Sequence, residues 1–541
     1  MNVLGVNAVF HDPAAALVID GVTVAAAEEE RFTRRKHGKP AVPFATWELP
    51  EAAARWCLDH AGLRPQDLDA VAYSYDPALA RPLNGDITAH GWEGLRTLYA
   101  ERAERFLGTV LPGLRPGVLR FVPHHVAHAA SAHLAAPQRD AAVMVLDGRG
   151  ERTSYLAGMA HGGRLEVLAV QELPHSLGLL YEEVTEHLGF RRSSDEYKVM
   201  ALASYGAPRM LERLRERVHT DGEGGFRTLT VDWDALAPRV PPGGPLEAVH
   251  ADLASSVQRV LQDVVGELAD WLHAATGAAT LTMAGGVALN CVANTVLLER
   301  GPFRQVWVQP ASGDSGTALG AALHVSAQAE PVRPMRTAAL GRGYTEAEIE
   351  AELRRARVPY ERPADLAAAV ADVLAADGVV GWFQGRSEFG PRALGQRSLL
   401  ASPASPGTTA KLNDIKGREQ FRPVAPMVLA SRAAEVFTGG PLPSPYMLFV
   451  HRVRPEWAAR IPAVVHVDGT ARAQTVDPVD LPLVARVLES FAARTGLPVL
   501  VNTSFNTAGR PMVDSPRDAL ECFGSSPLDM LAMGPFTVRR P

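Results

Sequence analysis

Apolar, β-branched runs at residues 2 to 7 (NVLGVN) and 15 to 29 (AALVIDGVTVAAAEE), with a turn at Asp20-Gly21, predict an opening hairpin. The same grammar returns at residues 141 to 171, where strand, polar glycine turn, strand, Gly-Gly turn and strand follow in order. Each meander leads into helical and parallel-strand segments. That arrangement predicts a duplicated α/β unit, with a nucleotide cleft between its halves as the natural expectation.

From about Asp252 to Ala275, Leu253, Val257, Val260, Leu261, Val264, Val265, Leu268, Trp271 and Leu272 recur on one helical face. Asp252 is placed to cap this helix and Gly277 to stop it. The strand TLTMAGG, a helix from near Asn290, the strand QVWVQP and the loop ASGDSG follow. The uncharged stretch from Ala274 to Leu298 has the length of a membrane span, but Gly285, Gly286, Asn290 and Asn294 interrupt it. Such groups would need partners in lipid, so a buried strand and a glycine loop are expected there instead.

Between Ala327 and Gly343 the periodicity lapses and Pro and Gly accumulate, which places a boundary between domains 1–333 and 334–541. Past it the pattern gives a helix near 364 to 376, the strand VVGWFQG, a long loop rich in Arg and Gly, and the strand PVLVNTSFN. This reads as a second α/β domain.

Composition narrows the partners. The chain's 541 residues hold 54 basic and 60 acidic side chains, a net charge of -6, which argues against a general nucleic-acid binder. No membrane partner is expected, and MNVLGVNAVFHD lacks the basic start of a signal peptide. Cys57, Cys291 and Cys522 form no CxxC pair, which fits a reducing cytoplasm. Only Lys36, Lys39, Lys198, Lys411 and Lys416 are lysines; the other basic residues are arginine.

Several patterns could carry chemistry. His124 and His128 stand at i and i+4 in PHHVAHAASAHLAAP, so two imidazoles on one helix face could meet one metal or simply pack. Asp147 ends the apolar run AAVMVLD, and Asp314 precedes a helix in SGDSG. Two His and two Asp suit iron(II), manganese or zinc, although each Asp alone is as readily a turn or cap. The segment from Ala284 to Asn290 (AGGVALN) lets backbone amides approach a phosphate. From Gln384 to Arg422 there are seven Lys or Arg against three Asp or Glu, matching either a polyphosphate or carbamoyl phosphate site or a solvated surface. His11, beside Asp12 after the first strand, could take a proton from an attacking hydroxyl, or could be merely packed.

Together these pieces resemble the O-carbamoyltransferase family of antibiotic-tailoring and nodulation enzymes. LGVNAVFHDPAAALV, EEERFTRRKHG, HHVAHAASAH, VLDGRGE, SLGLLYEEVTEHLGF, YKVMALASYG, MAGGVALN, GRSEFGPRALGQRS, FRPVAPMVL and VNTSFNTAGRPMV run in family order over nearly the whole chain. The resemblance implies an N-terminal domain of the actin, heat-shock-chaperone and sugar-kinase superfamily, similar to threonylcarbamoyl transferases, and a C-terminal YrdC-like α/β domain. It implies that carbamoyl adenylate is made from ATP and carbamoyl phosphate in the second domain. The carbamoyl group then passes to an acceptor hydroxyl in the first, with release of AMP.

By the same resemblance His124, His128, Asp147 and Asp314 match metal ligands, with iron(II) the usual ion, and His11 matches the catalytic base. Arg392, Lys416, Arg422, Arg472, Asn502 and Ser504 match positions that hold ATP or carbamoyl phosphate, where Mg(II) is also compatible. Asp147, Gly178, Gly285, Gly286 and Asn290 match the carbamoyl adenylate site, and Lys39 and Lys198 lie near the expected acceptor cleft. Acceptor selection is expected in Thr33 to Ala45, Tyr73 to Ala103 and Ala207 to Gly244. The expected partner is a small-molecule hydroxyl, on a natural product or sugar, and a homodimer is allowed. The alternatives are a tRNA threonylcarbamoyl-type modifying enzyme and a non-catalytic nucleotide sensor of the same superfamily.

Overall fold

Residues 2–28 form the expected meander: β1 (Asn2–Asn7), β2 (Ala14–Ile19) and β3 (Val22–Glu28). With β4 (Ala70–Tyr73) and β5 (Leu119–Phe121) they make a sheet in the order β3-β2-β1-β4-β5, antiparallel on one side of β1 and parallel on the other. The computed structural model describes residues 1–39, 48–80 and 91–540. Of the expected acceptor segments, residues 40–47 and 81–90 thus lie outside the described residues.

A second meander follows, β6 (Ala141–Leu146), β7 (Thr153–His161) and β8 (Arg164–Glu172). The strands β9 (Val218–Thr220) and β10 (Phe226–Thr228) pair only with each other. β11 (Thr280–Ala284) and β12 (Gln305–Val308) complete a sheet ordered β12-β11-β6-β7-β8. In each sheet the first strand of the meander is central, antiparallel to its hairpin partner and parallel to the next long-range strand. The duplication is therefore one of topology, as the repeated grammar of the sequence leads one to expect. β1 and β6 are buried on both faces, which is why they read as continuous apolar runs and not as alternating ones.

The helix His124–His133 links the two sheets in sequence. It packs on the helix Ser315–Ser326 at unusually close range. A Cβ on Gly320 would lie 1.8 Å from the carbonyl oxygen of Ala127, so no larger residue fits.

The long helix spans Ala248–Thr276 and buries the predicted apolar stripe, with Trp271 half-buried at its edge. Gly277 ends it in the left-handed region, but it starts a turn before Asp252. Glu247 and His250 cap each other, the Glu247 N–H donating to His250 Nδ1 at 2.8 Å, while Asp252 accepts the N–H of Ala207. The uncharged stretch ending at Leu298 resolves into the end of this helix, β11 and the helix Cys291–Arg300. Among the described residues no helix is long and apolar enough to cross a membrane.

The chain divides into two compact units, Met1–Arg336 and Thr337–Pro541. The second is α/β. Its strands are β13 (Val380–Phe383), β14 (Arg397–Ala401), β15 (Ala425–Leu429), β16 (Phe437–Thr438), β17 (His451–Val453), β18 (Thr470–Ala471), β19 (Gln474–Val476), β20 (Val499–Ser504), β21 (Met530–Met533) and β22 (Phe536–Arg539). Seven form a mixed sheet, β19-β15-β20-β14-β13-β21-β22, and β16-β17-β18 a small second one. The helices Leu366–Ala375 and Pro482–Thr495 bury their apolar faces with Trp382, Phe491 and Phe505 in one core.

Candidate metal centre and nucleotide loops

Four side chains converge where the helix His124–His133 meets the ends of β6 and the loop after β12. Nε2 of His124 lies 3.6 Å from Asp147 Oδ2 and 3.7 Å from Asp314 Oδ1. Nε2 of His128 lies 3.8 Å and 3.7 Å from the same oxygens. These are too long for hydrogen bonds. They are close to the separations of ligand atoms each about 2.1 Å from a shared ion. Both Nε2 atoms are buried without a hydrogen-bond partner among the described residues, which in a packed interior is costly unless something else meets them. The donor set fits a borderline divalent metal.

Backbone contacts aim these donors. Asp147 Oδ1 accepts the N–H of Gly286 at 2.8 Å and Asp314 Oδ2 accepts that of His11 at 3.0 Å, leaving Oδ2 and Oδ1 to face the histidines. The Nδ1–H of His124 donates to the carbonyl of Ser74 at 3.2 Å, which leaves Nε2 as the nitrogen that faces the carboxylates. Burial alone would drive His124 toward the neutral form. Asp147 and Asp314 outweigh it and hold the ring's proton well above the ordinary histidine range. Conversely, burial would raise Asp147, but His124 and His128 keep it ionised far below the usual carboxylate range.

The glycine loops gather around Asp147. Gly285 has φ +93°, and a Cβ there would sit 2.1 Å from the Leu146 carbonyl oxygen. A Cβ on Gly178 would meet Gly148 backbone atoms at 2.7 Å. Ser176 caps the helix Leu177–His187 and donates to the Gly148 carbonyl at 2.7 Å, so the loops at 147–148, 176–178 and 285–286 form one backbone-lined cradle. Asn290 is engaged otherwise. It caps Cys291–Arg300 through the N–H of Ala293 and exchanges two amide hydrogen bonds with Gln258, at 3.1 and 2.8 Å.

His11 adjoins the His2Asp2 cluster through that Asp314 bond, and its Nδ1 lies 2.8 Å from Asp12. Lys39 is buried, its ammonium 2.6 Å from the Ala8 carbonyl oxygen. Burial pushes it down to about 7. Lys198 instead pairs with Asp195 at 3.0 Å.

In the second unit Lys416 ends the helix Gly407–Lys416 and is buried. Its Nζ donates to Ser504 Oγ at 3.1 Å, Asn506 Oδ1 at 2.5 Å, and the carbonyls of Asn506 and Ser504. Asn502 shares a face of β20 with Ser504. Its amide donates to the Ala393 carbonyl and to Gln474, and Gln474 donates to the Leu394 carbonyl. Those bonds tie the loop bearing Arg392 to the segment bearing Arg472. Arg422 pairs with Glu419 at 3.5 Å. Sequence reasoning missed the carbonyl of Ser74, the N–H of Gly286 and the residues His37 and Ser194, none of which any local spacing marks.

The family described as Carbamoyltransferase N-terminus matches residues 2–323, and that described as Carbamoyltransferase C-terminus matches residues 371–540. An uncharacterized protein of Synechocystis is 38% identical over 605 residues, covering 100% of this chain and 97% of its own. Nodulation protein NolNO of Sinorhizobium fredii is 37% identical over 563 residues, covering 99% of this chain and 80% of its own. Among solved structures, the ROK hexokinase from Thermus thermophilus aligns over 60% of this chain and 98% of its own, at 18% identity and a TM-score of 0.30.

Proposed function

The chain belongs to the carbamoyltransferase family, and we propose that within it the protein is an ATP-dependent O-carbamoyltransferase acting on a hydroxyl of a small natural product or sugar. The observation that carries this reading is the adjacency of the His2Asp2 cluster, the glycine cradle and His11, joined through Asp147 and Asp314.

In the second unit, whose expected likeness is YrdC, carbamoyl phosphate and water give carbamate and phosphate. Carbamate then attacks the α-phosphorus of ATP, expelling pyrophosphate and forming carbamoyl adenylate. Lys416 and the arginines around Asn502 supply positive charge for these anions. In the first unit the backbone amides of the glycine loops hold the adenylate phosphate. His11 takes the proton of the acceptor hydroxyl as its oxygen bonds to the carbamoyl carbon, and AMP leaves.

His124, His128, Asp147 and Asp314 would hold a divalent ion, with iron(II) the expected one. Such an ion, when bound, supplies Lewis-acid stabilisation of developing negative charge. The protein is placed in the cytoplasm by this reading, with neither nucleic acid nor membrane as partner.

Incubation with labelled carbamoyl phosphate, ATP, iron(II) and a panel of decarbamoylated natural products tests the proposal. One acceptor should gain label while AMP, pyrophosphate and phosphate accumulate. ATP consumption without pyrophosphate, or modification of tRNA in place of the small molecules, would replace this function with another.

A further inference from the structure

Around His11 stand three residues with no role assigned above, Asp12, His37 and Ser194. Nδ1 of His11 lies 2.8 Å from Asp12 Oδ2, Nδ1 of His37 lies 2.9 Å from Asp12 Oδ1, and Nε2 of His37 lies 2.7 Å from Ser194 Oγ. The imidazole centroids are 4.3 Å apart. These are hydrogen-bond lengths, unlike the 3.6 to 3.8 Å separations of the metal cluster, so a bonded chain and not a second ion accounts for the grouping.

We propose that Ser194, His37 and Asp12 are positioning residues for His11, a hydrogen-bonded chain that decides which of its ring nitrogens meets the acceptor hydroxyl. The inference rests on the carbamoyl-transfer reading only for the task of His11; the chain itself follows from donor and acceptor chemistry. An ionised carboxylate can only accept, so both Nδ1 atoms facing Asp12 carry protons. With its proton on Nδ1, neutral His37 has its lone pair on Nε2, and the hydroxyl of Ser194 must then be the donor. With the Nδ1 proton of His11 committed to Asp12, Nε2 is the nitrogen left to exchange a proton with a hydroxyl.

The backbone supports a site built for this purpose. Asp12, His37 and Ser193 all have positive φ, at 43°, 63° and 57°, a conformation that costs a non-glycine residue energy and concentrates at functional sites. Asn7, itself buried, clamps the strained turn by donating to the carbonyls of His11 and Asp12 at 2.7 and 3.0 Å. His37 is anchored independently by its N–H on Glu30 at 2.8 Å. Burial, the largest influence, holds His37 below the ordinary histidine range, in the neutral form the chain needs.

The test is nitrogen NMR of the full-length protein labelled in its histidine rings, with His11→Gln and His37→Gln assigning the two signals. Both rings should show a protonated Nδ1, and His37 an unprotonated Nε2. Ser194→Ala should shift the His37 Nε2 signal and remove its single tautomer, and Ser194→Thr should restore it. Asp12→Asn should do the same to His11. With the acceptor found by the labelled assay, Ser194→Ala should lower kcat about tenfold at unchanged KM, as loss of an outer partner does. Ser194→Thr should recover it, which a seryl nucleophile would not. A proton on Nε2 of His37, or identical ring signals in Ser194→Ala and the parent, overturns the inference. Failure to find any carbamoyl acceptor would instead refute the function while the ring signals still decide the chain.

Discussion

The N–H of Gly286 donates to Oδ1 of Asp147 at 2.8 Å, and this single bond turns the other carboxylate oxygen toward His124 and His128. Gly286 opens a short 3-10 turn, a position where proline fits but brings no N–H. Gly286→Pro should therefore keep the short turn but put a ring carbon where the N–H met Asp147 Oδ1, turning the carboxylate away from its present position. Metal affinity should fall by about 10- to 100-fold, the usual effect of losing an outer partner. Competition against a chelating dye measures it, and parent-like affinity would show that the bond does not aim the ligand.

Asp314 offers a sharper separation of metal binding from folding. In Asp314→Asn one amide oxygen can still accept the N–H of His11, while the new NH2 group can donate to the histidine nitrogens. The variant should keep the parent's thermal midpoint without metal but bind iron(II) or zinc at least about 100-fold more weakly, beyond an outer-partner effect. Equal metal content in both purified proteins, read by elemental analysis, would remove Asp314 from the ligand set.

Lys416 places one ammonium among oxygens of Ser504 and Asn506. A guanidinium is longer and planar, with its donors in a fixed fork, and cannot reproduce that cluster. Lys416→Arg should reduce pyrophosphate release from ATP and carbamoyl phosphate by about tenfold or more despite the retained charge. Undiminished release would mean that charge alone suffices there.

His133 closes the helix that bears His124 and His128, and it makes the protein sensitive to acid. Burial, with His324 beside it, pushes His133 down to about 4. In the unfolded chain the ring takes up a proton as pH falls through about 6.5, so between there and about 4 the unfolded state binds more protons. Stability should accordingly drop as pH falls through that window, by about 3 kcal/mol from this ring. His133 Nδ1 has no hydrogen-bond partner among the described residues, so His133→Leu leaves no polar group stranded. Urea titrations at pH 7 and 5 should show a shallower decline in the leucine variant; parallel declines would acquit His133.

What could be read from the sequence was what is local. The helix carrying His124 and His128 announces itself by spacing and by Pro123, and both meanders by their turns. Asp147 and Asp314 could be joined to those histidines by donor chemistry and by family resemblance but by no spacing, because strand order is what brings them together. Asn290 follows a strand and a glycine loop, as a ligand might, yet Gln258 on a distant helix determines what its amide meets. The Arg-rich loop reads equally as surface or phosphate site. Arg397 within it is neither exposed nor solvated, lying fully buried with its guanidinium 3.8 Å over the Phe383 ring. His37 and Ser194 are paired from two segments 157 residues apart, and nothing in their neighbouring letters suggests it.

Gly320 touches none of the candidate ligands, yet its missing side chain sets how near the helix after Asp314 can come to the helix bearing both histidines. That distance is the bite of the donor set. A methyl group at residue 320 would pry the two helices apart, and any ion held between the four side chains would then meet a wider opening, set from behind the site by a position that an inspection of ligands alone would pass over.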